Sequence, residues 1–250
     1  MKLAKIIKNS KNTVFFGGAG VSTESGIPDF RSEKGLYAAQ EKYGFSPEQM
    51  LSRGFYKRKP ELFFQYYKEN LIYPNAKPND AHIALSQLEI IGLLSAVITQ
   101  NVDGLHQAAG SKNVIELHGS GHNHYCDKCG KIYDLNYILS PQNCNGPVPK
   151  CDKCGETVRP DIVLYEEQLK EKDIYSAIDA IETADCLIIG GTSLAVYPAA
   201  GLVHHFEGEN LVLINKSRTP YDNEANLVIN DNIGKVMSDV LEVLKMEGIL

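Results

Sequence analysis

The chain has 250 residues, of which 43% are hydrophobic, and it carries a formal net charge of −6 at pH 7. This length allows one large domain or one domain with an insertion, and the hydrophobic fraction suffices for a sizeable core. The negative charge argues against a general nucleic-acid-binding surface and suits a cationic, lysine-rich polypeptide partner. No apolar run reaches the roughly 18 residues of a membrane span, and the first residues turn polar too soon for a secretory signal. We therefore expect a cytoplasmic protein without membrane contact or direct nucleic-acid binding.

The sequence predicts a short amphipathic helix over residues 1–10, followed by an apolar, β-prone run at residues 14–16 that ends in glycines. A chain that leaves a buried strand through glycines can bring its backbone N–H groups close to a phosphate. Gly18 and Gly20 supply only G-x-G, because Thr23 stands where the dinucleotide fingerprint has its third glycine. A tight turn between strand and helix therefore remains an alternative for these residues alone.

The segment after these glycines is more polar than a simple turn requires. Hydroxyls follow at Ser22, Thr23 and Ser25, and opposite charges follow at positions 29 and 31. Residues Gly18–Arg31 resemble the first motif of the sirtuins, the NAD-dependent protein-lysine deacylases, which reads G-A-G-x-S-x-x-S-G-I-P-D-F-R. The resemblance implies that the NAD-binding residues of this segment are Gly18, Ala19, Gly20, Thr23, Asp29, Phe30 and Arg31.

Residues 32–75 show a looser pattern of glycine, proline and aromatic residues. The aromatics at 63–67 recur at helical spacing, which favours the core of a small helical insert over a stacking platform for a ligand. A segment of this kind after a nucleotide loop also suits a flexible lid over the ligand. Asn79 and Asp80 can cap a helix over Ala81–Ile90, and the next strand is predicted over Leu93–Thr99.

Polar side chains follow that strand directly. Because the carboxyl end of such a strand lies at the ligand edge of an open α/β sheet, we expect Gln100, Asn101 and Asp103 to face a cleft. Helix capping by Asn101 or Asp103 is the alternative. Residues Thr99–His106 are similar to the sirtuin motif T-Q-N-I-D-x-L-H, with Val102 in place of Ile. The resemblance implies contacts with the nicotinamide ribose and carboxamide from Gln100, Asn101 and Asp103, with Val102 in the same site, whereas His106 is expected to be a hydrogen-bonded structural residue.

A strand predicted over Asn113–Leu117 leads to His118 and Gly119. A histidine at a strand end titrates near neutrality, and the glycine beside it leaves room for a substrate, so His118 can act as a general base. A surface histidine in a turn is the alternative from the local sequence. Because sirtuins place their essential histidine in the same E-L-H-G setting, the resemblance implies that His118 is the base.

Two C-x-x-C pairs follow, Cys126 with Cys129 and Cys151 with Cys154. Their spacing fits a tetrahedral site of four thiolates, which has no open position for water, so we predict one structural zinc ion. Iron bound by the same ligands remains open. Nearby histidines and Cys144 are ranked as bystanders. The irregular stretch between the pairs is too short for a core of its own and would depend on the metal for its structure.

Residues Arg159–Glu167 form a short extended segment that is similar to the sirtuin stretch R-P-x-I-V-x-F-G-E. In that family the acyl-lysine peptide adds here as a strand, a binding mode that gains affinity through backbone hydrogen bonds. The resemblance implies that Val163 and Leu164 contact the substrate. The run Leu164-Tyr165-Glu166 departs from the Phe-Phe-Gly that is common in the family, which changes the shape expected for the peptide entrance.

The remaining sequence alternates helical and apolar segments. A helix is predicted over Ile174–Ile181, and a buried strand at residues 185–189 leads to the run 190–194. This run matches the sirtuin motif G-T-S-L-x-V-x-P through Val196 and Pro198. The resemblance assigns NAD binding to Gly191, Thr192, Ser193, Asn215, Asn232 and Ile233, and substrate binding to Val196.

These patterns predict an α/β fold, a Rossmann-like doubly wound parallel sheet with a smaller inserted zinc-binding domain. We assign residues 1–31, 76–119 and 159–250 to the NAD-binding domain. The helical or lid insert at 32–75 and the zinc-ribbon module at 120–158 together form the small domain. NAD would lie in the crevice between the two domains, and the motifs that carry the resemblance span essentially the whole chain.

The resemblance implies an NAD-dependent protein-lysine deacetylase that produces nicotinamide, free lysine and 2′-O-acetyl-ADP-ribose. His118 would draw a proton from the ribose hydroxyls, and Asn101 and Asp103 would orient the carboxamide and water. The chain lacks the Tyr-x-x-Arg pair of sirtuins that remove acidic acyl groups, so a neutral acyl group on a protein or peptide lysine is expected.

Two other functions remain open from the sequence. A sirtuin-fold ADP-ribosyltransferase or NAD hydrolase would share the cofactor motifs, although the substrate segment around Val163 argues for deacylation. The second alternative is a zinc-ribbon module that binds a nucleotide but catalyses no reaction. Against it stands the cost of gathering polar groups such as Asn101, Asp103 and His118 in a cleft where nothing reacts.

Overall fold

The computed structural model describes residues 1–29 and 37–250. Within these residues the strands are β1 (Thr13–Gly17), β2 (Ala96–Thr99), β3 (Val114–Glu116), β4 (Gly119–Cys126), β5 (Ile132–Asp134), β6 (Cys144–Asn145), β7 (Val148–Pro149), β8 (Val158–Ile162), β9 (Cys186–Gly190), β10 (Asn210–Ile214) and β11 (Leu227–Ile229). The helices are α1 (Lys2–Asn9), α2 (Tyr37–Tyr43), α3 (Pro47–Met50), α4 (Arg53–Arg58), α5 (Pro60–Asn70), α6 (Asp80–Ile90), α7 (Leu105–Ala109), α8 (Leu135–Leu139), α9 (Glu171–Thr183) and α10 (Ile233–Met246). Short 3₁₀ turns lie at Ala19–Val21, Thr23–Ser25, Pro141–Asn143 and Ala199–His205.

The larger sheet is parallel, and its strand order is β11-β10-β9-β1-β2-β3. The chain builds outward from β1 in one direction through β3, then returns to the other side of β1 with β9. This order is that of a doubly wound sheet, in which ligands bind where the direction of winding reverses. The reversal lies between β1 and β9, which pair in register from Thr13 opposite Cys186 to Gly17 opposite Gly190.

Both faces of this sheet are covered, as the apolar strands require. In β1 the side chain of Phe15 packs into the core on one face, whereas Val14 and Phe16 pack into the core on the other. Helices α1, α6 and α10 cover the Phe15 face. Helix α9 and the 3₁₀ turn Ala199–His205 cover the opposite face. The predicted α/β fold with a doubly wound parallel sheet is therefore confirmed.

A second core lies outside this sheet. The antiparallel sheet β5-β4-β8 packs with helices from the 47–70 region, and its core includes the aromatics Phe63, Phe64, Tyr66 and Tyr67. The prediction that these aromatics form a core is confirmed, since each is fully buried. The proposed lid overlaps residues 30–36, which lie outside the described residues, and Phe30 and Arg31 lie there too.

Two sequence-based expectations need correction. The strand predicted from Leu93 begins only at Ala96, because Gly92 (φ +77°) ends α6 and the Leu93 N–H bonds back to the Leu88 carbonyl oxygen at 2.8 Å. His106 is buried as expected, but neither of its ring nitrogens has a hydrogen-bond partner among the described residues. The predicted capping of α6 by Asn79 is confirmed. In the part of the chain that the structure describes, we find no helix long and apolar enough to cross a bilayer.

Candidate functional site

The loops after β1 and β9 meet at the reversal of the sheet. The N–H of Gly20 donates a hydrogen bond of 2.8 Å to the carbonyl oxygen of Gly191. A Cβ atom on Gly20 would lie 2.7 Å from that oxygen, and Gly191 has φ +59°. Only glycine allows the two backbones to approach so closely. The loop at residues 18–26, which we call the glycine loop, is thus packed directly against the loop that carries Thr192 and Ser193.

A cleft of about 870 Å³ opens over these two loops. It is lined by the following sequence-predicted site residues: Gly18, Ala19, Gly20, Thr23, Asp29, Gln100, Asn101, Val102, His118, Val163, Leu164, Gly191, Thr192, Ser193, Val196, Asn215 and Ile233. The tertiary structure therefore brings together residues from the ends of several parallel strands and from the segment after β8. Two predicted residues, Asp103 and Asn232, are not among the lining residues.

His118 lies where β3 gives way to β4. Its Nδ1 atom is 2.8 Å from the carbonyl oxygen of Gln100, and its own carbonyl oxygen accepts a hydrogen bond from the N–H of Val163 at 2.9 Å. A carbonyl oxygen can only accept, so we assign the ring hydrogen to Nδ1, which leaves Nε2 as the basic nitrogen. Burial lowers the pKa of His118 from its ordinary value of 6.5, although the Gln100 carbonyl opposes this shift. The neutral form that a general base needs is therefore favoured.

Asp103 does not line the cleft itself but is hydrogen bonded, through Ser22, to a residue that does. Its Oδ2 accepts a 2.6 Å hydrogen bond from the hydroxyl of Ser22, and its Oδ1 accepts one from the Leu105 N–H at 3.0 Å, the first residue of α7. Ser22 in turn accepts a hydrogen bond from Nδ2 of Asn101 at 3.0 Å. The same amide donates to the Gly18 carbonyl oxygen at 3.1 Å. Asp103 therefore orients Asn101 through Ser22. Asn101 lines the cleft as expected, whereas Asp103 does not line it and instead accepts from the first N–H of α7, as the capping alternative requires.

The amide of Gln100 spans the base of the cleft. Its Nε2 donates a 3.2 Å hydrogen bond to the hydroxyl of Thr192, which also accepts from the Leu194 N–H. Thr23 donates from its hydroxyl to the Gly20 carbonyl oxygen at 3.0 Å. The Gln100–Thr192 bond connects the ends of β2 and β9, whereas the Thr23–Gly20 bond lies within the glycine loop. They give the cleft a floor of oriented polar groups.

The opposite end of the cleft is formed by the loops after β10 and β11. Asn215, Lys216, Ser217, Asp231 and Ile233 line it. Asn232, predicted from the resemblance, is the residue before α10, and its neighbours on either side line the cleft instead. Two of these residues, Asp231 and Lys216, were not predicted from the sequence. The polar run before α10 could have indicated Asp231, and the polar run after β10 could have indicated Lys216.

The segment after β8 forms one wall of the cleft. Arg159 is buried and makes a bidentate ion pair with Glu167, at 2.7 and 2.9 Å. The same carboxylate accepts a hydrogen bond from the Leu164 N–H at 2.9 Å. Glu166 adopts φ +74°, and its carboxylate accepts from the Gly54 N–H at 2.8 Å. The chain around Val163 is therefore set by charged groups from the same short segment, which the sequence pattern alone did not reveal.

The four cysteines of the two C-x-x-C pairs come together in the small core. The Sγ atoms of Cys126, Cys129, Cys151 and Cys154 all lie within 4.8 Å of one another. Cys126 and Cys154 have Sγ atoms 3.4 Å apart, and those of Cys129 and Cys151 are 3.6 Å apart. Thiolates bound tetrahedrally at about 2.3 Å from a zinc ion lie at comparable separations. The donor set thus fits one zinc ion with a closed coordination sphere.

Comparison with known proteins agrees with this geometry. Residues 18–198 match the model of the Sir2 family. The chain belongs to the Sir2 family. The matched range includes the glycine loop, His118 and all four clustered cysteines.

Individual relatives cover almost the entire chain. This Sir2 chain is 62% identical over 242 residues to the NAD-dependent protein deacetylase of Clostridium perfringens, which covers 96% of this chain and 98% of that protein. It is 58% identical over 242 residues to the NAD-dependent protein deacetylase of Clostridium tetani, with 97% of each chain covered. A solved structure described as Sir2 with a p53 peptide and NAD⁺ superposes with a TM-score of 0.86 at 38% identity, covering 100% of this chain and 98% of that one.

Proposed function

We propose that this protein is an NAD-dependent protein deacetylase that removes a neutral acyl group from lysine side chains. The observation that carries the proposal is the position of His118. Its Nε2 is the basic nitrogen of the ring, and it lies in a cleft lined by the glycine loop, by the loop after β9 and by the amides of Gln100 and Asn101. The products would be nicotinamide, free lysine and 2′-O-acetyl-ADP-ribose. The near full-length similarity to proteins of this named activity supports the same function.

NAD is a substrate of this reaction, and the cleft offers groups suited to each of its parts. Backbone N–H groups of the two glycine loops suit the pyrophosphate, since such loops present unhindered donors. Gln100, Asn101 and Val102 would surround the nicotinamide ribose and its carboxamide. Thr192, Ser193 and Asn215 would hold the adenosine side, and Ile233 supplies an apolar contact there.

His118 would be the general base. With Nδ1 bonded to the Gln100 carbonyl oxygen, its Nε2 is available to take a proton from a ribose hydroxyl. Asn101 would position the reacting groups, and Asp103 would keep Asn101 oriented through the hydroxyl of Ser22. Such positioned groups act mainly by alignment and by stabilising charge that develops in the transition state.

The acyl-lysine would enter along the wall formed by Val163 and Leu164, with Val196 on the facing loop. These side chains are apolar, which suits a neutral acyl chain. The backbone of this wall is tied by the Arg159–Glu167 pair, so an extended peptide would meet a preformed edge.

We also propose the organisation that surrounds this cleft. Residues 1–31, 76–119 and 159–250 would form the NAD-binding domain, while 32–75 and 120–158 would form the small domain. The two separate cores support this division. One zinc ion would be bound by the four clustered cysteines and would serve structure alone, because no ligand position is left for water. Thiolate metal sites of this kind suit a reducing compartment, so we propose the cytoplasm.

The decisive experiment is mass spectrometry of an acetyl-lysine peptide incubated with the purified protein, with and without NAD. We expect loss of the acetyl group only with NAD, together with 2′-O-acetyl-ADP-ribose. If NAD is consumed while the peptide stays acetylated, an ADP-ribosyltransferase or NAD hydrolase replaces the proposal. If neither NAD nor any acyl peptide is consumed, the proposal is wrong.

A further inference from the structure

We propose that Glu24 is a positioning residue for the co-substrate. Its carboxylate joins the glycine loop to the first turn of α10 and thereby sets the shape of the adenosine end of the cleft. This inference rests on the proposed function, because it assumes that the cleft binds NAD.

The contact joins two parts of the chain that are far apart in sequence. Oε2 of Glu24 accepts a hydrogen bond from the N–H of Gly234 at 2.8 Å, across 210 residues. Glu24 is the second residue of the 3₁₀ turn Thr23–Ser25, and Gly234 is the second residue of α10. The bond therefore crosses from the loop beneath the cleft to the helix at its end.

Helix α10 needs a partner of this kind. Its N-cap residue, Asn232, makes no side-chain capping hydrogen bond. The first N–H groups of a helix have no partner within the helix, and the helix dipole favours a negative group beside them. Glu24 thus supplies from the glycine loop the acceptor that the local sequence of α10 does not.

The residue at position 234 is matched to this contact. A Cβ atom on Gly234 would lie 2.6 Å from Oε2 of Glu24 and 3.1 Å from its Cδ atom. A Cβ atom at position 234 would therefore require the Glu24 carboxylate to shift from its present position. Glycine at this position leaves the space that the carboxylate occupies.

The same contact reaches the walls of the cleft. Glu24 lines the cleft, and so does Ile233, which directly precedes Gly234. Ile233 packs so tightly over β9 that a Cβ on Gly190 would lie 2.3 Å from its Cδ1 atom. On the loop side, Thr23 also lines the cleft and hydrogen bonds to Gly20. Movement at the Glu24–Gly234 contact would therefore displace groups on both sides of the adenosine end.

Neighbouring charges do not provide the same connection. Lys235, the next residue of α10, pairs with Asp231 at 2.5 Å, within the helix start itself. That ion pair stabilises the local turn and does not reach the glycine loop. Since Gly234 presents a neutral N–H, the contact requires an acceptor oxygen more than a full negative charge, and a glutamine can supply one.

The test compares Glu24→Ala with Glu24→Gln. We expect Glu24→Ala to raise the KM for NAD about five- to tenfold, the effect of losing one ordered hydrogen bond. The kcat and the KM for the acetyl peptide should stay near the parent values, because the Glu24 carboxylate bonds to the backbone of α10 and not to Gln100, Asn101 or His118. Glu24→Gln should restore the KM for NAD to within about twofold. The dissociation constant of NAD, measured by calorimetry without peptide, should change in parallel.

A matched control separates positioning from general stability. Glu89 also accepts hydrogen bonds from the backbone, from Lys112 and Asn113 at 2.8–3.1 Å, and it does not line the cleft. Glu89→Ala should lower thermal stability without changing the affinity for NAD. A second variant, Gly234→Ala, keeps Glu24 but fills its space, and it should weaken NAD binding as Glu24→Ala does. Gly234→Ala provides the test if Glu24→Ala does not fold.

Several outcomes would overturn the inference. It is wrong if folded Glu24→Ala or folded Gly234→Ala binds NAD as the parent does, or if Glu24→Gln is as weak as Glu24→Ala. It is also wrong if Glu89→Ala weakens NAD binding equally. Failure of the proposed function looks different, because the parent protein itself would then leave the peptide acetylated, whether or not it consumes NAD.

Discussion

Nδ1 of His118 lies 2.8 Å from the backbone carbonyl oxygen of Gln100, so the loop after β2 sets both the orientation and the tautomer of this ring. The partner of Nδ1 is a backbone carbonyl oxygen and not an acidic side chain. The histidine is thus held for proton transfer without a negative partner that would raise its pKa strongly. Burial instead lowers that pKa from 6.5.

This arrangement predicts the pH profile of deacetylation. Because the base must be neutral and its pKa is lowered, the fall of kcat/KM on acidification should have its midpoint below the ordinary histidine value of 6.5. Initial rates in a series of buffers, at substrate concentrations below KM, would measure this fall in kcat/KM. A fall of kcat/KM on acidification with its midpoint above pH 7 would contradict the assignment of His118 as the general base.

Replacement of the same residue gives a second measure. His118→Ala should lower kcat by about 10²- to 10⁴-fold, the usual contribution of a positioned general base. The melting temperature and the affinity for NAD should remain close to those of the parent. Turnover by the folded variant at the parent rate would remove His118 from this role.

The hydrogen-bond chain from Asp103 through Ser22 to Asn101 leads to a test on the hydroxyl. Ser22→Ala removes the group that accepts from Asn101 and donates to Asp103. We expect kcat/KM for NAD to fall about tenfold, because two partly buried polar groups lose their shared partner. Steady-state kinetics would measure the change.

Ser95→Ala is the control for removal of a serine hydroxyl elsewhere in the chain. Its hydroxyl donates to the Thr13 carbonyl oxygen at 3.0 Å, and Ser95 does not line the cleft. It should leave kcat/KM unchanged. Equal losses in both variants would show that the effect is one of stability and not of the chain to Asn101.

The cysteine cluster predicts one metal ion per chain with no part in the chemistry. Cys151→Ser should abolish stoichiometric binding and lower the melting temperature by about 10 °C or more, because metal binding and folding of this region are coupled. Cys144→Ser should do neither, since Cys144 lies outside the cluster. Elemental analysis of the purified protein measures content and separates zinc from iron. Full occupancy in Cys151→Ser would contradict the ligand assignment.

The buried pair His82 and His106 predicts acid sensitivity. Their rings are 4.7 Å apart, and burial lowers the pKa of His82 to about 4 and that of His106 to about 3. The unfolded chain binds protons near pH 6.5 while the folded chain does not, so stability is complete above that pH and is lost as the pH falls towards these lower values. Between pH 7 and pH 5 we expect a loss on the order of 2 to 4 kcal/mol.

Denaturant titrations at the two pH values would measure this loss. A His82→Gln, His106→Gln double variant should be less stable at pH 7 but should lose less on acidification, because neither replacement titrates. An identical dependence on pH in the parent and the double variant would contradict the prediction. The comparison between them also removes any common effect of thiolate protonation at the metal site.

Sequence patterns predicted the central strand, the cysteine cluster and the edge of the sheet where the polar residues meet, because each depends on the properties of a short segment. The side chains at residues 14–16 are apolar on both faces of β1, because both faces of this strand are covered. Paired cysteines at C-x-x-C spacing indicated a shared ligand site, and all four do meet. The polar residues after strands were expected at one edge of the sheet, since parallel strands end together there.

The tertiary structure decided which of these groups face one another. Asp103 turns to Ser22 and away from the cleft, because the glycine loop packs against the loop after β2. Arg159 meets Glu167 beneath the substrate wall, and Glu24 meets Gly234 at the start of α10. Sequence periodicity determines which side of a strand or helix is buried. Contacts such as Glu24–Gly234 depend instead on how distant elements pack, and no local pattern encodes that geometry.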